Sequence, residues 1–223
     1  MYRRAAVVSM FLVGMIIAPG AHAIGVMTYG VGLESCKSYL DARQEAGSEQ
    51  EAFVDWLSGY FSGVNKTSTH RNNFFGLSDL KDAMLWLDAY CHARPAAYFA
   101  AAVGGLVLNG KPGPAAHSIE DVNYGSADKS CAVYVEAREQ RDASYRGASS
   151  EFTTWLGGYV SGVNTISLRT NNVLGSAELG DAISWLDLYC SAHLQASFSK
   201  AVEALVLEQQ PRYASQSRPA APR

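Results

Sequence analysis

FVDWLSGYFSGVN spans Phe53–Asn65, and 99 residues later FTTWLGGYVSGVN spans Phe152–Asn164. The copies share Trp56/Trp155, Leu57/Leu156, Gly59/Gly158, Tyr60/Tyr159, Ser62/Ser161, Gly63/Gly162, Val64/Val163 and Asn65/Asn164. In the first copy Phe53, Val54, Trp56, Leu57, Tyr60, Phe61 and Val64 cover much of a helical circumference. The stretch therefore predicts the central, most buried helix of a unit, over about Glu49–Val64. Asn65 is its expected stop, because asparagine tolerates the left-handed conformation at a helix C-terminus. Gly59 and Gly63 fall on one helical face, as do Gly158 and Gly162. An interior helical glycine costs about 1 kcal/mol relative to alanine, so two in each copy predict close approach of another backbone, in a groove flanked by Trp56 and Tyr60.

The same register extends outward. Asn72, Asn73 and Gly76 match Asn171, Asn172 and Gly175; WLDAYC (Trp86–Cys91) matches WLDLYC (Trp185–Cys190); Phe99, Leu106, Val107 and Leu108 match Phe198, Leu205, Val206 and Leu207. Upstream, SCKSYLDAR (Ser35–Arg43) matches SCAVYVEAR (Ser130–Arg138) once four extra residues are allowed in the second copy. Each half so carries one cysteine pair at corresponding positions. The economical pairing is Cys36–Cys91 and Cys131–Cys190, one staple per repeat, with free core thiols as the alternative. A zinc site is disfavoured because the spacing is not C-x-x-C and the histidines are scattered. Neither a metal nor a cofactor is expected.

Met1–Ala23 has the form of a secretory signal peptide: basic Arg3 and Arg4, an apolar run from Ala5 to Ala18, a Pro19-Gly20 break and Ala21-His22-Ala23. The alternative is a membrane anchor, but the run is shorter than the ~20 apolar residues a bilayer core demands. Cleavage would leave a chain starting near Ile24, with no later span, in an oxidising compartment where an even cysteine count reads as disulfides. Losing Arg3 and Arg4 takes the formal charge from −3 to −5. That mild acidity offers no clustered basic face for nucleic acid. The expected organisation is signal peptide 1–23, helical repeat 30–109, a Gly/Pro-rich linker 110–123, helical repeat 124–208 and a disordered tail 209–223.

Within a repeat the helical period recurs four times. Cys36, Tyr39, Leu40 and Arg43 share a face, as do Leu80, Ala83, Met84, Leu87 and Cys91, so both cysteines point inward. Ser78 is the expected N-cap of the third helix. Pro95 is expected in the first turn of the fourth, where its missing N–H costs nothing; Leu194 stands there in the second copy. The fold class is all-α, two tandem homologous four-helix units. They are expected to pack as an intramolecular pseudo-dimer.

Polar residues present in both copies are the candidates for function. The loops after the central helices carry Asn65, Asn72 and Asn73, and Asn164, Asn171 and Asn172, the candidate partner-binding positions; as turn residues they have a plainer reading. Arg43/Arg138 and Asp88/Asp187 read as structural ion pairs or loop hydrogen bonds, and Asp82/Asp181 as solvated helix charges. No histidine has a histidine counterpart, and oxidised cysteines are not nucleophiles, so no catalytic residue is assigned. The pairs Trp56/Tyr60, Trp86/Tyr90, Trp155/Tyr159 and Trp185/Tyr189 have core spacing, although aromatic residues also favour interfaces.

SC-x-x-YL, then WLSGYFSGVN, then WLDAYC and a helix ending LVL resembles small exported α-helical proteins of Gram-negative bacteria. These include the Tai-type immunity proteins of type VI secretion and, more loosely, acid-stress chaperones of the HdeA kind. The resemblance covers each repeat almost fully. It implies a periplasmic or secreted, non-enzymatic module that binds another protein, such as an immunity-like inhibitor of a toxin or effector. A periplasmic acid-stress chaperone is the alternative reading, and a cell-wall-associated hydrolase working through Asp88 and Asp187 is the third.

Overall fold

A computed structural model describes residues 25–45, 47–68, 80–109, 123–140 and 148–216. Two short 3-10 turns and eight α-helices follow one another: Gly30–Leu33, α1 (Cys36–Glu45), α2 (Ser48–Thr67), α3 (Lys81–Ala93), α4 (Phe99–Asn109), Gly125–Asp128, α5 (Cys131–Glu139), α6 (Ala148–Ile166), α7 (Leu179–Ala192) and α8 (Phe198–Gln216). Among the described residues there are no strands, and the fold is all-α. The expected signal peptide, the body of the expected linker (110–122) and the end of the tail (217–223) lie outside the described residues, as does Ser78.

Each four-helix set encloses its own aromatic core. In the first, Tyr39 stacks on Phe99 at 4.8 Å while Phe53 meets Phe99 edge-on at 4.9 Å. In the second, Tyr134 stacks on Phe198 at 5.0 Å and Phe152 meets it edge-on at 4.8 Å. All six rings are buried, beside Trp56 and Trp155, and burying a side chain of this size contributes about 2–3 kcal/mol. The disulfides are Cys36–Cys91 and Cys131–Cys190, with Cα–Cα distances of 4.9 and 4.8 Å. They join α1 to α3 and α5 to α7. In the chain-entropy account, closing loops of 55 and 59 residues stabilises each unit by about 4 kcal/mol.

The start of each first helix is satisfied by the loop that precedes each fourth. Cys36 N–H donates to Ala97 C=O (2.8 Å) and Lys37 N–H to Pro95 C=O (2.9 Å), while Phe99 N–H returns a bond to Glu34 C=O (2.8 Å). Cys131, Ala132 and Phe198 do the same with Ala196, Leu194 and Lys129. These bonds take up helix N-terminal N–H groups that would otherwise be orphaned. They also correct the reading of Pro95, which precedes α4 in a turn and does not open it. Position 95 contributes a carbonyl, so leucine serves equally at 194.

Two further boundaries differ from expectation. Asn65 does not end α2, which runs to Thr67, and Asn164 lies inside α6; both are buried, at 1% and 2% exposure. A side chain enclosed by packing cannot act as an exposed cap. The chain beyond Gln209, expected to be disordered, continues α8 to Gln216, because elongating an anchored helix is far less costly than starting one.

The two units meet through α2 and α6. A Cβ built on Gly59 would lie 1.9 Å from the Trp155 carbonyl oxygen, and one on Gly158 would lie 1.9 Å from that of Trp56. Gly63 stands in the same relation to Tyr159 at 2.3 Å, and Gly162 to Tyr60 at 2.2 Å. The contact is reciprocal, each helix offering the same two glycines to the other, as in an isologous dimer interface. The backbone anticipated along the Gly59–Gly63 face is therefore that of the other repeat. Gly59→Ala is expected to lower stability by about 1–3 kcal/mol, since helix backbones must separate to admit the methyl. Gly180→Ala in α7 meets nothing within 4 Å and is expected to raise stability by about 0.5–1 kcal/mol. Urea denaturation of the two variants checks both signs.

Candidate functional site

The candidate asparagines of the second repeat surround an extended segment, residues 25–29. Asn164 uses both ends of its amide: its Oδ1 accepts from Val173 N–H at 2.7 Å, and its Nδ2 donates to Met27 C=O at 2.9 Å. Asn171 accepts from Met27 N–H through its backbone carbonyl at 3.0 Å and donates from Nδ2 to Gly25 C=O at 3.0 Å. Asn172 accepts from the Tyr29 hydroxyl at 3.0 Å and donates to Gly175 C=O at 2.6 Å. The loop asparagines thus hold the chain's own N-terminal segment. Asn72 and Asn73 lie outside the described residues.

Tyr29 sits at the junction of both units. Its N–H donates to Ser161 Oγ on α6 (3.0 Å), and its carbonyl accepts from Trp56 Nε1 on α2 (2.7 Å). Tyr124 repeats the arrangement in reverse. Its N–H donates to Ser62 Oγ (3.0 Å), its carbonyl accepts from Trp155 Nε1 (2.7 Å), and its hydroxyl bonds Asn65. Burial pushes the Tyr124 hydroxyl up, opposed by that bond from Asn65. Each tyrosine is followed by a glycine at positive φ, Gly30 at 64° and Gly125 at 66°, a conformation glycine adopts without steric cost. Sequence reading passed over both tyrosines. The signal was present, since Tyr29-Gly30 and Tyr124-Gly125 each stand six residues before the Ser35/Ser130 positions when counted from the tyrosine.

Arg43 and Asp88 form a fork. Nε donates to one carboxylate oxygen at 3.2 Å and Nη2 to the other at 3.0 Å, while the Tyr39 hydroxyl adds a bond of 2.7 Å. Arg138, Asp187 and Tyr134 reproduce it at 2.8, 2.6 and 2.6 Å. These forks tie α1 to α3 and α5 to α7 alongside the disulfides, a structural use of both aspartates. Desolvation raises the Asp88 carboxyl, but the bonds from Arg43 and Tyr39 outweigh it and hold the group below the usual carboxylate range. Asp82 lies exposed in the first turn of α3, and Asp181 accepts from Glu178 N–H at 2.9 Å in a capping box that opens α7.

The aromatic pairs divide by helix. Trp56, Tyr60, Trp155 and Tyr159 are buried in the cores. On α3, Trp86 and Tyr90 stack at 5.1 Å and the Arg94 guanidinium lies 4.7 Å from the Tyr90 ring. On α7, Trp185 and Tyr189 stack at 5.0 Å and His193 stacks on Tyr189 at 4.2 Å. Trp86 is exposed, whereas Tyr90, Trp185 and Tyr189 are half-buried against the cores, and Trp185 Nε1 donates to Glu208 at 2.9 Å. Among the exposed apolar residues are Trp86, Leu108 and Leu207, at 39%, 71% and 64% exposure.

Between the repeats, Asp55 of α2 is pushed up to about 6 by burial first and then by Glu151 and Glu51, with Lys129 opposing. Lys129 itself bridges both Glu151 oxygens at 2.7 Å. Comparison of the chain with protein-family models, curated proteins and solved structures finds no match.

The two aspartates make opposite contributions to stability. Asp88 has a lowered folded value, so its contribution is present above the ordinary carboxylate pKa of about 4 and is lost as pH falls through the folded value. Asp88→Asn is expected to cost about 1–3 kcal/mol at neutral pH, with the deficit shrinking in strong acid. Asp55 has a raised value, so its contribution is present below about pH 4 and is lost as pH rises through its folded pKa. Asp55→Asn is expected to stabilise the protein by about 1–2 kcal/mol at pH 8, discounted for the solvent reaching the group, and to be neutral near pH 3.5. Thermal melts across this range distinguish the two.

Proposed function

We propose that the chain is an exported, non-enzymatic protein-binding module of the immunity-like kind, acting in the periplasm. Two disulfides suit folding in an oxidising compartment, and no helix among the described residues is long and apolar enough to cross a membrane. The observation that carries the reading is the pair of aromatic ladders, Trp86–Tyr90–Arg94 and Trp185–Tyr189–His193. Trp86 is exposed, and Tyr90, Trp185 and Tyr189 are half-buried at the edge of cores filled mainly by other rings. Trp, Tyr and Arg are the residue types that dominate binding energy when a partner desolvates them. Leu108 and Leu207 add exposed aliphatic area at matching positions. One chain so offers two corresponding faces, the first with the more exposed tryptophan, an arrangement open to bivalent binding.

The acid-chaperone reading draws on a different observation, the Tyr39–Asp88–Arg43 fork and its copy. Protonation would release joints between helices in both units and expose core surface. Suppression of client aggregation at pH 2–3, absent at pH 7, would support it.

The binding reading is tested with photocrosslinkers at positions 108 and 207 in living cells, followed by affinity measurement with the isolated partner. The expected outcome is one dominant adduct, with Trp86→Ala and Trp185→Ala together weakening binding at least tenfold in a double variant whose circular dichroism shows it folded. Absence of an adduct, or unchanged affinity in the double variant, would overturn it.

A further inference from the structure

The segment 25–29 is bound as a peptide ligand is bound. Its alternate backbone groups are answered in turn: Gly25 C=O by Asn171 Nδ2, Met27 N–H by the Asn171 carbonyl, Met27 C=O by Asn164 Nδ2, and Tyr29 N–H by Ser161 Oγ. Val26 and Met27 are each 44% exposed. Tyr29 is the anchor, half-buried against the second core with its hydroxyl on Asn172. Main-chain bonds supplying affinity, with one pocket supplying specificity, is the logic of extended-peptide recognition.

Ser161, Asn164 and Asn172 each have a hydrogen bond besides those to the segment. Asn164, 2% exposed, is oriented by Val173 N–H. The Ser161 hydroxyl, 1% exposed, donates to Gly157 C=O at 2.7 Å and so keeps a lone pair for Tyr29. Asn172 is fixed by its bond to Gly175 C=O. At its end the Tyr29 carbonyl accepts from Trp56 Nε1 at 2.7 Å, and the chain continues through Gly30 at a positive φ of 64°.

We propose that Ser161, Asn164, Asn171 and Asn172 form a peptide-binding cleft, filled in cis by residues 25–29 and able to take instead an extended segment of a partner protein with a tyrosine at the anchor position. The half-buried Tyr29 ring with its hydroxyl on Asn172 and the backbone-reading amides define that chemistry, and the partial exposure of Val26 and Met27 leaves room for other residues at those two positions. The cleft uses none of the residues of the aromatic ladders, so failure at either place leaves the other standing.

The probe is the peptide Gly-Val-Met-Thr-Tyr-amide, the sequence of residues 25–29, titrated by calorimetry into the full chain and into a variant lacking these residues. Saturable one-to-one binding to the deletion variant is expected, at least tenfold weaker to the full chain, where the cis segment competes. Methylating the Met nitrogen, which removes the N–H donated to Asn171, is expected to weaken binding at least tenfold. Equal binding of the methylated peptide, or equal binding to both proteins, would overturn the proposal. Pairing of the deletion variant with full-length chains in place of peptide binding would overturn it too, assigning the cleft to a second copy. Should the deletion variant fail to fold, hydrogen exchange on the full chain decides. Met27 N–H exchanging at least 100-fold faster than the central α6 amides supports a segment that leaves its cleft, and exchange at the global unfolding rate overturns it.

Discussion

At Gly59 and Gly158 two helix backbones lie so close that a single methyl on either would enter a carbonyl oxygen of the other. Much of the remaining architecture depends on this approach. It brings two aromatic cores side by side while each keeps its own disulfide. It also places Ser62 and Ser161 where they can receive the N–H of a tyrosine that precedes the opposite unit. Each tyrosine is then clamped by a serine from one unit and a tryptophan from the other. The contact and the clamps are thus mutually reinforcing, because separating α2 from α6 would break buried hydrogen bonds as well as apolar packing.

Charge is handled differently at the two levels of organisation. Within each unit, an arginine fork locks the first helix to the third, and in the first unit it holds Asp88 in its charged form. Between units, Asp55 sits among Glu51, Glu151 and Lys129 with its carboxyl biased towards the neutral form. Acid therefore weakens a joint inside the first unit while relieving a repulsion between the two. This ordering favours loosening of helices within a unit over separation of the units when pH falls.

The surface and the cleft recognise different things. The ladders on α3 and α7 present aromatic and aliphatic area, suited to burial beneath a folded partner. The asparagine cleft reads backbone, suited to an extended chain. A module with both kinds of recognition accords with the proposed binding role.

The periodicity of FVDWLSGYFSGVN and its second occurrence were enough to assign helices, the duplication and the inward direction of Cys36 and Cys91, because these follow from local helical geometry repeated at a fixed offset. The spacing of Gly59 and Gly63 even signalled a close backbone. Chain geometry, by contrast, placed Asn65 and Asn164 inside helices and Pro95 in a turn that caps α1, since those roles are set by a hydrogen-bond partner remote in sequence. The same holds for the candidate asparagines of the second repeat: their spacing marked a loop, but what Asn164, Asn171 and Asn172 grip is a segment more than 130 residues away, brought there by the packing of α2 on α6. Local pattern determined the elements and their buried faces. Tertiary packing alone decided which polar groups meet, because a hydrogen bond depends on positions in space that no periodicity along the chain encodes.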